Sequence, residues 1–329
     1  MRILVTGGCG FIGTNLIRFL IKEKGETVIN FDALTYAANV SALADLEVHP
    51  EYTFVKGNIS DANALCELFK RHQPDAVIHL AAESHVDQSI TSPDVFIQTN
   101  VTGTYNLLQA ALEYFEKKAQ EDFRYLQIST DEVYGSLELD APAFTEDSPY
   151  RPNSPYAASK AAADHLVRSW HKTYGLPTMI TCCGNNYGPH QHAEKLIPKV
   201  IACCKKQEPI PVYGDGSNIR DWIHVGDHAE ALYAVLQRGR IGETYNIGAR
   251  NELHNIELVE MLCDQMCAIA PAKQSYRSLI KFDLDRLGHD KRYALDTSKI
   301  VNELRWGPKR TLLIPLTSCV PCNLQNREY

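Results

Sequence analysis

The stretch RILVTGGCGFIG, residues 2–13, decides how the first half of this chain folds. Residues 3–6 are apolar or β-branched, as expected of a strand that is covered on both faces of a parallel sheet. The glycines that follow permit a tight turn, and a helical pattern begins directly after them. Asp32 lies 19 positions beyond Gly13, at the end of the next apolar run. A strand, a glycine turn, a helix and an acid at this distance form the dinucleotide-binding fingerprint.

This fingerprint predicts that the chain binds NAD. The N-terminus of the helix offers backbone N–H groups and positive potential to a pyrophosphate, and Asp32 is placed to accept hydrogen bonds from ribose hydroxyls. The residues after Asp32 are Ala33 and Leu34, so no arginine stands ready to bind a 2′-phosphate. An ordinary glycine-rich βα turn is the alternative interpretation, and the strand, helix and acid weigh against it.

Short β-branched runs alternate with helical stretches through the first half of the chain. This alternation predicts an α/β fold, a Rossmann-type doubly wound parallel sheet. From about Gly184 the pattern changes to segments rich in Pro and Gly, NNYGPHQHAEKLIP and PIPVYGDGSNIRDW, which we expect to form loops of a smaller, less regular C-terminal substrate-binding region. We therefore expect a NAD-binding domain over residues 1–183, to which 222–248 return, and a substrate-binding region over 184–221 and 249–329.

Composition narrows the class of protein. A length of 329 residues allows a substantial core in one large domain or two packed domains. The net charge of −7 and the lack of a basic cluster weigh against a nucleic-acid partner. No signal peptide is evident, and no apolar run approaches the roughly 18 residues of a membrane span. The ten cysteines follow no extracellular disulfide spacing, so we expect a cytoplasmic protein.

Tyr156 and Lys160 lie one helical turn apart in the stretch SPYAASKAAADHL. Their spacing brings both side chains to one face of a helix. An ammonium beside a phenol lowers the pKa of the phenol, which lets the tyrosine act as a base near neutral pH. Such a pair is usually a surface coincidence, but after a dinucleotide fingerprint it predicts hydride chemistry.

The stretch STDEVYG, residues 129–135, follows the apolar run RYLQI at the expected C-terminal end of a strand. Ligands of open α/β sheets bind at such ends, so Asp131 and Glu132 are candidates for the reaction centre, with a solvated acidic turn as the alternative. Oxidation or epimerisation needs only the tyrosine. Elimination of water needs an additional base and acid, and two carboxyl groups in different environments can divide those tasks.

Together these motifs resemble the dTDP-glucose 4,6-dehydratases, a family of the extended short-chain dehydrogenase/reductase superfamily. The resemblance runs from residue 2 to about residue 308, and HLAAESHVDQSI with STDEVYGSL is its most specific part. It implies a lyase that oxidises the glucose ring at C4, eliminates water across C5 and C6, returns hydride to C6 and regenerates NAD. Thr130 would then hydrogen-bond the sugar O4, Asp131 would be the acid at C6, Glu132 the base at C5, and Tyr156 with Lys160 the redox pair.

The resemblance also implies which residues bind the two ligands. Those expected at the cofactor, besides Tyr156 and Lys160, are Gly7, Gly10, Phe11, Ile12, Gly13, Asp32, Thr35, Asn58, Ile59, Ala81, Ala82, Ser84 and Thr99. Those expected at the nucleotide sugar are His85, Asn185, Glu194, Lys195, Leu196, Tyr213, Arg220, Asn255, Arg286, His289 and Tyr293. A surface salt bridge is the usual alternative for any single arginine, although the planar fork of an arginine suits a diphosphate.

A homodimer follows from the same resemblance, with the helices around residues 101–117 and 156–174 pairing across a two-fold axis into a four-helix bundle. We expect no metal site, because the hydride chemistry needs none and the candidate ligands are not at ligand spacing. Cys319 and Cys322 form a CxxC without a second pair. The scattered histidines considered as ligands are His85, His224, His228 and His289.

Four positions depart from the family pattern without removing a catalytic group: Asn58, Gln88, Cys182 and Ala193. After Pro308 two prolines and the absence of a helical period predict an irregular terminus. Two alternatives stay open. One is another nucleotide-sugar enzyme of the superfamily, a 4-epimerase or a UDP-glucuronate decarboxylase, and the other is a non-catalytic NAD-binding protein.

We predict that the protein prefers NAD to NADP by about a hundredfold or more. A 2′-phosphate would bring about two negative charges to Asp32, and each contact at roughly 4 Å costs about 1 kcal/mol in water and about 4 at an effective dielectric near 20. Titration of the apo-protein with both nucleotides measures the ratio, and equal affinities would contradict the role of Asp32. Replacing Asp32→Ala together with Ala33→Arg should narrow or invert the preference, because the repulsion is lost and a bidentate phosphate partner is gained.

Overall fold

A parallel sheet of seven strands forms the centre of the fold in the computed structural model, which describes residues 1–118 and 122–312. In chain order the strands of these residues are β1 (Arg2–Thr6), β2 (Thr27–Asp32), β3 (Tyr52–Lys56), β4 (Ala76–His79), β5 (Arg124–Thr130), β6 (Thr178–Cys183), β7 (Asn185–Tyr187), β8 (Ile210–Tyr213), β9 (Ile219–His224), β10 (Thr244–Ile247), β11 (Glu252–His254) and β12 (Ile280–Asp283). The central sheet has the order β10-β6-β5-β4-β1-β2-β3, and its neighbouring strands are parallel. The predicted doubly wound α/β fold is confirmed.

Helices cover both faces of this sheet. The helices of the described residues are α1 (Phe11–Lys22), α2 (Ala62–His72), α3 (Val86–Thr91), α4 (Pro93–Phe96), α5 (Thr104–Lys118), α6 (Pro155–Tyr174), α7 (Leu196–Lys206), α8 (Val225–Arg238), α9 (Asn255–Ile269) and α10 (Ser298–Leu304), of which α7 and α9 pack together in the C-terminal region. A π-helical segment, Ile97–Gly103, joins α4 to α5, so the helical stretch expected around residue 101 begins earlier than predicted. Short 3-10 turns occupy Val40–Leu46, Asp131–Tyr134 and Tyr276–Leu279.

The alternation of side chains along the buried strands produces two cores. Ile3 and Val5 pack in one hydrophobic cluster with residues of α1 and α8, whereas Leu4 packs in a second cluster with residues of α2, α5 and α6. Successive strand residues point to opposite faces, and both faces are covered here, so residues 3–5 of β1 all have to be apolar. This explains why ILV precedes the glycine turn.

The C-terminal region contains more regular structure than its sequence indicates. It holds a three-stranded sheet of β11, β9 and β7, a pair of β12 with β8, and a third core between α7 and α9. The prediction that NNYGPHQHAEKLIP and PIPVYGDGSNIRDW form only loops is therefore wrong, because β7, β8 and β9 lie within them. Strands of three to six residues flanked by Gly and Pro are too short to give a clear period of two.

The chain crosses between the two regions repeatedly. β10 joins the edge of the central sheet and α8 packs against α1. Ile300, Leu304 and Trp306 pack in the same core cluster as Ile3, although they lie within the predicted substrate-binding range. Over the described residues, no helix is both long and apolar enough to cross a membrane. The predicted irregular terminus from residue 313 onward, with Cys319 and Cys322, lies outside the described residues.

Candidate active site

One cleft of about 860 Å³ lies at the C-terminal ends of the central strands and extends to the C-terminal region. Ligand pockets typically have volumes of about 300–1,000 Å³. Each cofactor-binding, substrate-binding and catalytic residue predicted above lines this cleft. The structure therefore brings together side chains that come from positions as distant in sequence as Gly7 and Tyr293.

The glycine turn after β1 packs so closely against neighbouring backbone that Gly7 and Gly13 have no room for a side chain. A Cβ at Gly7, whose φ is +72°, would lie 2.7 Å from the backbone of Ala81. A Cβ at Gly13 would lie 2.3 Å from the carbonyl oxygen of Gly7. Gly10 precedes α1 and offers no side chain to cap the first N–H groups of the helix. These features fit the pyrophosphate of a dinucleotide.

Asp32 is fixed at the end of β2 by the backbone. One carboxylate oxygen accepts the N–H of Cys9 at 2.9 Å, and the other accepts the N–H of Leu34 at 2.8 Å. The residue is buried and lines the cleft. Because each oxygen has two lone pairs, the carboxylate keeps acceptor capacity for ribose hydroxyls.

Of the four positions that depart from the family pattern, two line the cleft and two do not. Asn58 and Ala193 line it, and the Asn58 side-chain oxygen accepts the N–H of Ser60 at 2.8 Å. Gln88 is exposed on α3. Cys182 is buried on β6, with its Sγ 3.7 Å from the hydroxyl of Tyr150.

A 3-10 turn at the end of β5 places Thr130, Asp131 and Glu132 in the cleft wall. The Thr130 hydroxyl caps this turn, accepting the N–H of Glu132 at 3.4 Å and donating to Asp131 Oδ1 at 3.2 Å. Asp131 is only 2% exposed, and its Oδ2 has no hydrogen-bond partner among the described residues. A buried carboxyl oxygen without a partner is costly, which is typical of a group that acts on a ligand.

The two adjacent carboxyl groups lie in different electrostatic surroundings. Burial and the charge of Glu132 raise the pKa of Asp131 well above its usual value. Burial also raises the pKa of Glu132, but Arg220, Lys195 and Arg286 oppose this shift. Asp131 is therefore the better proton donor and Glu132 the better proton acceptor near neutral pH.

Tyr156 and Lys160 project from the first turns of α6, where Ser154 accepts the N–H of Ala157 at 3.1 Å. Lys160 Nζ donates to the carbonyl of Ile128 at 2.6 Å. Burial lowers the pKa of Lys160.

The expectation that Lys160 lowers the pKa of the Tyr156 phenol is wrong for the protein without its cofactor. Burial, Glu132 and Asp131 raise the pKa of Tyr156 well above its usual value, and the hydroxyl of Thr130 opposes this shift. The ammonium is directed at a carbonyl, while two carboxyl groups lie close to the phenol.

The substrate side of the cleft is rich in cations. Arg220 is buried, donates to the carbonyl of Asp290 at 3.0 Å and lies 4.2 Å from the ring centroid of Tyr293. Lys195 Nζ donates to the carbonyl of Ser84 at 3.1 Å. Glu194 lies 3.5 Å from both Lys195 and His85. Asn185, Leu196, Asn255 and His289 complete this wall.

The sequence analysis did not identify two acids that hold substrate-side residues of the cleft in place. Asp87 pairs with Arg286, and Asp290 accepts the hydroxyl of Tyr293. Asp87 belongs to the quoted stretch HLAAESHVDQSI and Asp290 follows the predicted substrate residue His289, but an acid that orients another side chain has no spacing rule of its own. In the described ranges, no group of three or more possible metal ligands comes together.

We predict that Asp131→Asn stabilises the fold. Folding raises the pKa of this acid, so its contribution to the free energy of unfolding is fully present only below its usual pKa. That contribution is lost as pH rises from about 4 toward the raised pKa. The amide cannot ionise, so the variant should gain about 1–3 kcal/mol at pH 8 and little at pH 4. Denaturant unfolding at both pH values measures the difference. Exposed Asp140→Asn is the control, and an equal response of both variants would contradict the assignment.

Comparison with known proteins shows the family to which this chain belongs. A family model described as GDP-mannose 4,6 dehydratase matches residues 4–313. The dTDP-glucose 4,6-dehydratase of Haemophilus influenzae is 54% identical over 318 residues, covering 94% of each chain. The dTDP-glucose 4,6-dehydratase 1 of Escherichia coli K12 is 49% identical over 340 residues, covering 100% of this chain and 94% of that one. The solved structure of DesIV, a dTDP-glucose 4,6-dehydratase from Streptomyces venezuelae with NAD and TYD bound, has a TM-score of 0.88 at 45% identity and covers 95% of this chain and 93% of that one. This chain therefore belongs to the nucleotide-sugar 4,6-dehydratase family, within which it groups with the dTDP-glucose 4,6-dehydratases.

Proposed function

We propose that this protein is a NAD-dependent hydro-lyase that converts dTDP-glucose to dTDP-4-keto-6-deoxyglucose in deoxysugar biosynthesis. The observation that carries this proposal is the pair of unlike carboxyl groups, Asp131 and Glu132, in one cleft with Tyr156. A 4-epimerase needs no acid and base beyond its redox residues. A non-catalytic NAD-binding protein would have no need to bury Asp131 without a partner.

The cofactor is NAD, which supplies a reversible hydride acceptor when bound. The glycine turn and the N-terminus of α1 would hold its pyrophosphate, Asp32 an adenosine ribose and Lys160 the nicotinamide ribose. We keep the division expected from the sequence, with cofactor binding in residues 1–183 and 222–248 and substrate binding in 184–221 and 249–329.

Four side chains divide the work on the sugar. Tyr156 accepts the proton of the C4 hydroxyl as C4 becomes a carbonyl, and Thr130 hydrogen-bonds O4. That carbonyl acidifies the C5 proton, which Glu132 removes. Asp131 donates its proton to the C6 hydroxyl, which leaves as water, and C5 is reprotonated after C6 has been reduced. The cations around Glu132 favour its ionised form, and burial favours the protonated form of Asp131.

The cationic wall suits the diphosphate. Arg220, Arg286 and Lys195 line the cleft on the side of the C-terminal region, and an arginine fork matches phosphate oxygens better than a point charge does. Tyr213 supplies an aromatic surface for the base.

Turnover with dTDP-glucose tests the proposal directly. The 4-keto-6-deoxy product, followed by its absorbance in alkali, should form from dTDP-glucose faster than from UDP-glucose, without stoichiometric accumulation of NADH. Because hydride returns within each cycle, one equivalent of NAD per subunit suffices. Accumulation of NADH or formation of the C4 epimer would refute the dehydratase assignment.

Replacing Glu132 with Gln provides the matched variant. The amide has nearly the same shape but cannot accept a proton as a carboxylate does, and loss of a general base costs about 10²–10⁴-fold in rate. Oxidation at C4 should persist while exchange of solvent deuterium into C5 stops. Undiminished exchange would remove Glu132 from its role.

A homodimer and a cytoplasmic location complete the proposal. α5 and α6 pack side by side, and their outer residues include the exposed Tyr105 and Tyr174. The eight cysteines in the described ranges are free thiols, as in a reducing compartment.

Light scattering at micromolar concentration should give twice the chain mass. Tyr105→Glu should yield monomers because it places a charge in the proposed helix interface, whereas Val48→Glu, at a side chain that is 93% exposed, should remain dimeric. A strictly monomeric wild-type protein would contradict the four-helix bundle.

A further inference from the structure

One carboxylate connects the two sides of the cleft. Asp87 lies in the first turn of α3, on the cofactor side. Arg286 and Tyr213 belong to the C-terminal region. Arg286 donates through Nε to Asp87 Oδ1 at 2.6 Å and through Nη2 to Oδ2 at 3.3 Å, and the Tyr213 hydroxyl donates to Oδ2 at 3.1 Å.

These contacts fix both partners in one orientation. The carboxylate engages the Nε edge of the guanidinium, and Arg286 Nη1 makes no hydrogen bond among the described residues. The guanidinium carbon lies 5.0 Å from the ring centroid of Tyr213, so the cation also packs against the aromatic face. An arginine held along one edge can still offer the other edge to a phosphate.

The ion pair gives little stability by itself. The side chains of Arg286 and Asp87 are 23% and 37% exposed, and pairs of this exposure typically contribute about 0–1 kcal/mol. Orientation is the more important effect, because an unrestrained arginine and tyrosine would lose rotamer freedom when a ligand binds.

We propose that Asp87 is a positioning residue that holds Arg286 and Tyr213 ready to bind the nucleoside diphosphate of the substrate. The inference rests on the proposed function, since it assumes that those two side chains contact the diphosphate and the base. Asp87 itself transfers no proton and touches no reacting atom.

The alternative is that Asp87 competes with the diphosphate of the substrate for Arg286 and Tyr213. If Asp87 occupied the place of the diphosphate, its carboxylate would have to be displaced by the ligand, and its removal would tighten binding. The free Nη1 edge of Arg286 argues against this, because a phosphate can bind there while the Asp87 contact persists.

Binding of dTDP to the NAD-loaded protein, measured by calorimetry, separates these possibilities. Asp87→Asn should weaken dTDP binding about tenfold, the loss expected for a hydrogen bond to a charged group. KM for dTDP-glucose should rise about as much, while kcat changes by less than about twofold because the catalytic groups are untouched. Asp94→Asn removes the same charge from an exposed position outside the cleft and should change neither value.

A second background tests whether Asp87 acts through its two partners. In a protein carrying Arg286→Met and Tyr213→Phe, Asp87 has neither side chain left to orient, so Asp87→Asn should change dTDP affinity by less than about twofold. An equal tenfold loss in that background would overturn the proposal, as would unchanged or tighter binding by Asp87→Asn alone. If the wild-type protein failed to bind dTDP, the proposed function would be overturned. If the wild-type protein bound dTDP and Asp87→Asn had no effect, only the role of Asp87 would be overturned.

Discussion

Parallel strands bring their carboxyl ends to the same edge of a sheet, and the site of this protein depends on that constraint. β1 delivers the glycine turn there, β2 delivers Asp32, and β5 delivers the turn that carries Asp131 and Glu132. The chain adds β2 and β3 on one side of β1 and then adds β4 on the other side. The connections that follow β1 and β4 therefore lead away from each other, which opens a crevice between them. The cofactor fingerprint and the catalytic acids are therefore neighbours in space although more than a hundred residues separate Gly13 from Asp131.

The surroundings of the two adjacent carboxyl groups give one the role of acid and the other the role of base in the proposed mechanism. Asp131 and Glu132 are adjacent in sequence, but the first is buried against the second while the second faces three cations. Burial of an unpartnered carboxyl opposes stability, and the proposed mechanism accounts for this cost by making Asp131 the proton donor to the C6 hydroxyl of the sugar. Burial, and then the same two acids, raise the pKa of Tyr156.

Much of this arrangement could be predicted from the sequence because it depends on local rules. The glycines of 7–13, the distance to Asp32 and the one-turn spacing of Tyr156 and Lys160 are each short-range patterns with a physical reason. The strands β7, β8 and β9 escaped prediction because they are short and their burial depends on α7 and α9. The packing of Trp306 on the first core and the pairing of Asp87 with Arg286 depend on contacts between distant parts of the chain. The sign of the pKa shift at Tyr156 was also wrong, since burial of the phenol, and then the charge of Glu132, depend on the tertiary fold rather than on the spacing to Lys160.

The central claim is that Asp131 carries a proton at neutral pH while Glu132 does not. Infrared spectroscopy of the NAD-loaded protein measures this directly, because only a protonated carboxyl group gives a C=O stretching band distinct from the carboxylate bands. Difference spectra at neutral pH should contain one protonated-carboxyl band that disappears in Asp131→Asn and persists in Glu132→Gln. A band that persists in Asp131→Asn and disappears in Glu132→Gln would reverse the acid and the base and contradict the account.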